Sequence, residues 1–159
     1  MKRNNLAVLL SVGMLLSSCV LSHAGQSKLM GFKEDVQGEL VQIKALMTKK
    51  DPVLVSSMYD SCLIAMNQID AYISMITIFN TIDEKAVKEE AVNPLIIWLG
   101  SMKKMNTINS NTLRDTSKAR SPETKARMEK VKALFEKLNK EIDIETAKWE
   151  VIRKSLPLR

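Results

Sequence analysis

Residues 51–80 read DPVLVSSMYDSCLIAMNQIDAYISMITIFN, and the spacing within them decides the fold. Asp51-Pro52 is a helix start signal, an N-cap followed by a proline whose missing N–H and fixed φ suit the first helical position. Beyond it Val55, Met58, Cys62, Met66, Ile69, Ile73 and Ile76 recur at steps of three and four. That period is helical, and a strand would alternate at two. Tyr59, Leu63, Tyr72 and Phe79 flank the seam, and Asp60 and Asp70 are the only charges. The polar residues Ser56, Asp60, Asn67, Asp70, Ser74, Thr77 and Thr81 share the same rhythm and form one narrow stripe. The pattern predicts a central, mostly buried helix exposed along that stripe.

The segments on either side have the same period. From Ser27 to Lys50, Leu29, Phe32, Val36, Leu40, Ile43 and Met47 mark one face of a helix, weakened by Gly31 and Gly38. Thr81-Ile82-Asp83-Glu84 has the Thr-x-x-Glu form of a capping box and predicts the start of a third helix. Val87, Ala91, Leu95, Trp98, Met102 and Met105 give its seam, and Pro94 predicts a kink or a division there. Asn106 to Ser121, NTINSNTLRDTSKARS, loses the apolar period and reads as a long polar connection. Ser121-Pro122-Glu123 then opens a helix reaching about Leu156, with Met128, Val131, Phe135, Leu138, Ile142, Trp149, Ile152 and Leu156 as its seam, broken at Glu145. Glu123 and Arg127, Lys125 and Glu129, Lys132 and Glu136, and Glu150 and Lys154 lie four apart, spacings worth only about 0.2–0.5 kcal/mol each. Four helices with one apolar face apiece predict an all-α domain, a four-helix bundle or a related helical array.

Upstream of this domain the chain has a different character. MKRNN carries Lys2 and Arg3, and LAVLLSVGMLL, residues 6–16, holds no charge. A basic start before a short apolar run is the form of a secretory leader, and at eleven residues the run falls short of the roughly 20 needed to span a bilayer. Leu16-Ser17-Ser18-Cys19 follows directly. It resembles the lipobox of bacterial lipoproteins, in which an aliphatic and two small residues precede a cysteine that is acylated and becomes the new N-terminus. The resemblance covers residues 1–19 and implies a signal peptide at 1–18, a lipid-anchored tether at 19–26 and one helical domain at 27–159. It implies an envelope protein carrying palmitate-type acyl chains on Cys19. The resemblance to Gram-negative lipoproteins further implies that Val20, which is not Asp, favours the outer membrane, on its periplasmic side. The rival cleavage pattern is Ser22-His23-Ala24, which would release a soluble secreted protein beginning at Gly25.

Composition narrows the chemistry. The 24 basic residues become 22 once Lys2 and Arg3 leave, against 18 acids, for a formal +4. Those bases are interleaved with acids along helices, the pattern of a solvated surface and not of a nucleic-acid interface. Only Cys62 remains after Cys19, which leaves no internal disulfide, and its apolar neighbours predict a small buried thiol. His23 is the sole histidine and precedes the domain, so no imidazole serves for acid–base catalysis, a Ser-His or Cys-His pair or haem ligation. Glu141, Asp143 and Glu145 are the densest acids but point to different faces. Met58, Met66, Met75, Met102 and Met105 fit core filler better than Cu(I) ligands. The reading is therefore a non-catalytic domain with no cofactor or metal, acting through a protein partner or self-association. A module holding a small apolar ligand beneath the polar connection is the alternative. Ile144 points about 130° from the centre of the last seam, with Ala133 and Ala147 leaving room beside it, and is the candidate partner contact.

Overall fold

The computed structural model describes residues 27–47, 51–83 and 85–155. They form four helices: α1 (Leu29–Lys44), α2 (Pro52–Thr81), α3 (Lys85–Thr112) and α4 (Pro122–Ser155), with one 3-10 turn at Thr116–Lys118. No strand occurs among the described residues, and the domain is an all-α four-helix bundle. α1 packs mainly on α2, α2 on α3 and α3 on α4, while α1 also meets α4. Cross-contacts give the directions. Lys33 pairs with Asp70, the Trp98 indole donates to the Gln68 carbonyl, and Lys103 pairs with Asp143, so successive helices run antiparallel.

Each helix buries one seam. On α2 it is Val55, Met58, Cys62, Ala65, Ile69, Tyr72, Ile76 and Phe79. On α4 it is Met128, Val131, Phe135, Leu138, Ile142, Glu145 and Trp149, and the step of three and four never breaks. Burial of each large aliphatic side chain contributes about 1.5–3 kcal/mol, so these seams outweigh the α4 surface pairs. Of those pairs Lys132–Glu136 forms, at 3.8 Å. Arg127 instead reaches Glu39 of α1 at 2.6 Å, and Glu150 pairs with Arg153.

Several boundaries depart from the sequence pattern. α3 passes Pro94 as one element, so the helix is not divided there. The proline is exposed, as is Glu90, whose carbonyl loses its helical partner there. α3 also continues to Thr112, past the expected end of its seam, and the connection shrinks to residues 113–121. The Thr81 capping box does not form as expected. Thr81 is the last residue of α2 and its hydroxyl donates back to the Ile78 carbonyl, while Glu84 lies outside the described residues. At the end of α1, Leu46 is buried where Met47 was expected, because the chain leaves the helix at Ala45.

α2 is less central than its composition suggests. Its polar stripe is exposed, Asp70 being half-buried, but so are Ile64 and Ile78 on the side nearer α3. The helix is long and apolar enough by length and composition to cross a membrane, yet a third of its most apolar 18-residue window is buried.

Candidate functional site

Glu145, the residue that seemed to break the α4 seam, stands at the centre of a buried polar network. The Trp149 indole Nε1 donates to the Tyr72 hydroxyl at 2.6 Å, and that hydroxyl donates to Glu145 Oε2 at 3.1 Å. Lys148 reaches the other carboxylate oxygen, Oε1, at 2.7 Å from a half-exposed position. Phe79 closes the group, its ring edge-on to Trp149 with centroids 5.0 Å apart. A buried carboxylate is tolerated when both oxygens are bonded and a cation neutralises it, and all of that is met here. Burial pushes the Tyr72 phenol well above its ordinary range; the bond from Trp149 opposes this, and the Glu145 charge and hydrogen bond add to it. The hydroxyl therefore stays a neutral donor. The network ties α2 to α4.

A second polar layer occupies the α3 seam. Val92, Leu95, Leu99 and Met102 lead without a break to Asn106, Asn109 and Leu113, again at three and four. Asn106 is wholly buried, and neither polar atom of its amide has a hydrogen-bond partner among the described residues. Asn139 of α4 donates to the Thr107 hydroxyl at 3.2 Å. Leu113, the first residue of the connection, is also fully buried.

Asp51 holds together the end of the bundle remote from Glu145. Its φ of 66° is the one positive φ at a non-glycine residue among the described residues, and its side chain does not cap α2. Oδ2 instead accepts from the backbone N–H groups of Arg120 and Ser121, at 2.9 and 3.0 Å. Ser121 in turn accepts from the Thr124 N–H at 3.0 Å and caps α4.

The predicted site residues fall as follows. Cys19, with the signal peptide 1–18 and the tether 19–26, lies outside the described residues. Ile144 is 48% exposed on α4, with Ala133 and Ala147 exposed on the same helix. Cys62 is fully buried, and burial, with the Glu39 charge adding, pushes its thiol up to about 12. Glu141, Asp143 and Glu145 separate: Glu141 is buried, Asp143 pairs with Lys103 in solvent, and Glu145 joins Tyr72. Met58 and Met102 are core, with Met66 and Met75 packed against it. No group of three or more His, Cys, Asp or Glu side chains suited to a metal occurs among the described residues. Where the chain enters α1, Ser27 and Met30 line a groove of about 380 Å³ with Ile73, Ile76, Thr77, Asn80 and Thr81 of α2. No known protein family, curated protein or solved structure matches the chain.

Proposed function

We propose that this chain is a lipid-anchored protein of the cell envelope, held through acylated Cys19 in the outer membrane on its periplasmic side, whose helical domain works by binding a protein partner and not by catalysis. The observation that carries this reading is Leu16-Ser17-Ser18-Cys19 set directly after the uncharged run 6–16. Several acyl chains on one cysteine hold firmly where one would exchange. The binding half draws its support from Ile144. The α4 seam fills the core without it, and it stands half-exposed on a helix whose other outward residues are largely charged.

Two measurements test the two halves. The wild-type chain takes up labelled palmitate and enters the detergent phase, and Cys19→Ala does neither; label retained by the variant contradicts the anchor. Ile144→Glu weakens cross-linking to the envelope partner, or to a second copy, while helicity and Tm stay as they were. Unchanged cross-linking contradicts the partner role, and a large fall in Tm places Ile144 in the core.

A further inference from the structure

A cleft lies between the first half of α2 and the second half of α3. The Trp98 indole donates to the Gln68 carbonyl and the two helices are antiparallel, so Asn109, eleven residues on in α3, comes level with Ser57, eleven residues back in α2. The cleft measures about 620 Å³ and is open to solvent, a size within the roughly 300–1,000 Å³ of small-molecule sites. Ser56, Ser57, Asp60 and Ser61 line it from α2, and Asn109 lines it from α3. Pro52, Val53 and Ile64 supply its apolar surface.

Its polar groups are unengaged. Six hydroxyls elsewhere in the bundle, those of Ser74, Thr77, Ser101, Thr107, Thr112 and Thr146, fold back to the carbonyl four residues earlier in their own helix. Ser56, Ser57 and Ser61 make no such bond, although Ser61 is only 6% exposed. Asn109 Nδ2 is shielded from solvent and has no partner among the described residues. Asp60 is exposed and makes no ion pair among them. A shielded donor left unbonded is costly, and a ligand seated in the cleft would satisfy it.

We propose that this cleft binds a neutral, hydroxyl-rich ligand, a saccharide. The lining selects that chemistry. No basic residue lines the cleft and Asp60 brings a negative charge, so anions such as phosphate and carboxylate are repelled. A cationic amine would answer Asp60 but, having only donors, would leave Asn109 Nδ2 unpaired. A sugar hydroxyl both donates and accepts, and a sugar ring carries one on nearly every carbon. Asp60 then accepts from one hydroxyl, Asn109 Nδ2 donates to another, and the three serines serve either way. The C–H face of the ring lies against Pro52, Val53 and Ile64. A peptide carries both kinds of group more sparsely, and both walls are helices whose backbone groups are paired internally, so the cleft offers no strand edge to hold one. The site is independent of the anchor at Cys19 and of Ile144, which stands on α4.

The test is saturation-transfer difference NMR on the full purified chain, which reads weak binding from the ligand's own signals. The probes are glucose and maltotriose, N-acetylglucosamine and chitotriose, with methylammonium, acetate and triglycine beside them. At millimolar concentrations at least one neutral saccharide receives saturation, and Asp60→Ala and Asn109→Ala each weaken that signal several-fold. Ser74→Ala, outside the cleft, leaves it unchanged. Asp60 is exposed, so its variant folds as the wild type does, and if Asn109→Ala proves unfolded by its Tm the Asp60 result decides. A trimer that binds more strongly than its monomer identifies a polymeric glycan as the source, and equal binding a free sugar; both support the proposal. No transfer to any saccharide overturns it, as does a saccharide signal that both cleft variants leave intact. Transfer to methylammonium alone, lost in Asp60→Ala, overturns it in favour of a cation, and transfer to triglycine alone in favour of a peptide.

Discussion

The Tyr72 hydroxyl and the Glu145 carboxylate meet at 3.1 Å, joining α2 to α4 across 73 residues of chain. Tyr72→Phe removes the donor to Glu145 and the acceptor of the Trp149 indole together, leaving two buried polar groups short of a partner, each costing about 1–3 kcal/mol. Urea unfolding followed by tryptophan emission should show a loss of about 2–4 kcal/mol and a shifted Trp149 spectrum in the folded state. A loss within 0.5 kcal/mol of zero would show that the network does not determine α2–α4 packing.

Alkaline stability follows from Cys62 and Tyr72. The thiol rises from an ordinary 9.0 to about 12 through burial and then the Glu39 charge. Below pH 9 both folded and unfolded chains keep this proton, and the thiol adds no pH dependence. Between 9 and about 12 the unfolded chain releases it and the folded chain does not, so stability falls by about 1 kcal/mol per pH unit. The raised Tyr72 phenol adds a second loss in the same direction from its ordinary value of 10.0 upward. Unfolding midpoints at pH 9, 10 and 11 should therefore decline, and less steeply for Cys62→Ala than for the wild type. Equal slopes would contradict the burial of the thiol.

Asn106 offers the opposite sign. Its amide sits at a seam position with both polar atoms unanswered by any described protein group. Asn106→Leu fills the same volume with a side chain that needs no partner, and should raise stability by about 1–2 kcal/mol. A destabilised variant would mean that the amide is satisfied in solution, for instance by an internal water.

How far these elements were legible in the sequence depends on residue type. The α4 seam could be read because Val, Ile, Leu, Met and Phe occupy it, and the helix starts at Pro52 and Pro122 were marked by Asp-Pro and Ser-Pro; on α2, apolar on several sides, Met66 and Ile73 were read into the seam where Ala65 and Tyr72 are the buried residues. α3 was read too short because Asn106 and Asn109 stand where apolar residues should, so a continuing helix looked like a polar loop. Glu145 misled in the same way. Its place on the seam is explained by Tyr72 and Trp149, which no local pattern could join to it. Asp51 was recognised as a boundary, but its side chain serves the start of α4, a contact set by the tertiary fold. The exposure of Ile64 and Ile78 was hidden by composition, since an apolar helix reads as buried whether or not anything covers it.

Asp51 separates strain from bonding. A non-glycine residue at positive φ costs about 1–2 kcal/mol, and the carboxylate offsets this by accepting two backbone N–H bonds. Asp51→Ala keeps the strain and loses both bonds, for an expected loss of about 2–4 kcal/mol in thermal unfolding. Asp51→Gly relieves the strain and should fall between alanine and wild type, and Asp51→Asn should be mildest. Glycine as stable as the wild type would show that the bracket contributes nothing.

The anchored-protein account stands or falls on the mature N-terminus. Intact-mass spectrometry of the protein purified from a membrane fraction, with peptide mapping of its first residues, reads this directly. The account predicts a chain lacking residues 1–18 whose Cys19 carries diacylglycerol. A mass that begins at Gly25 without lipid, or that retains residues 1–18, would contradict it.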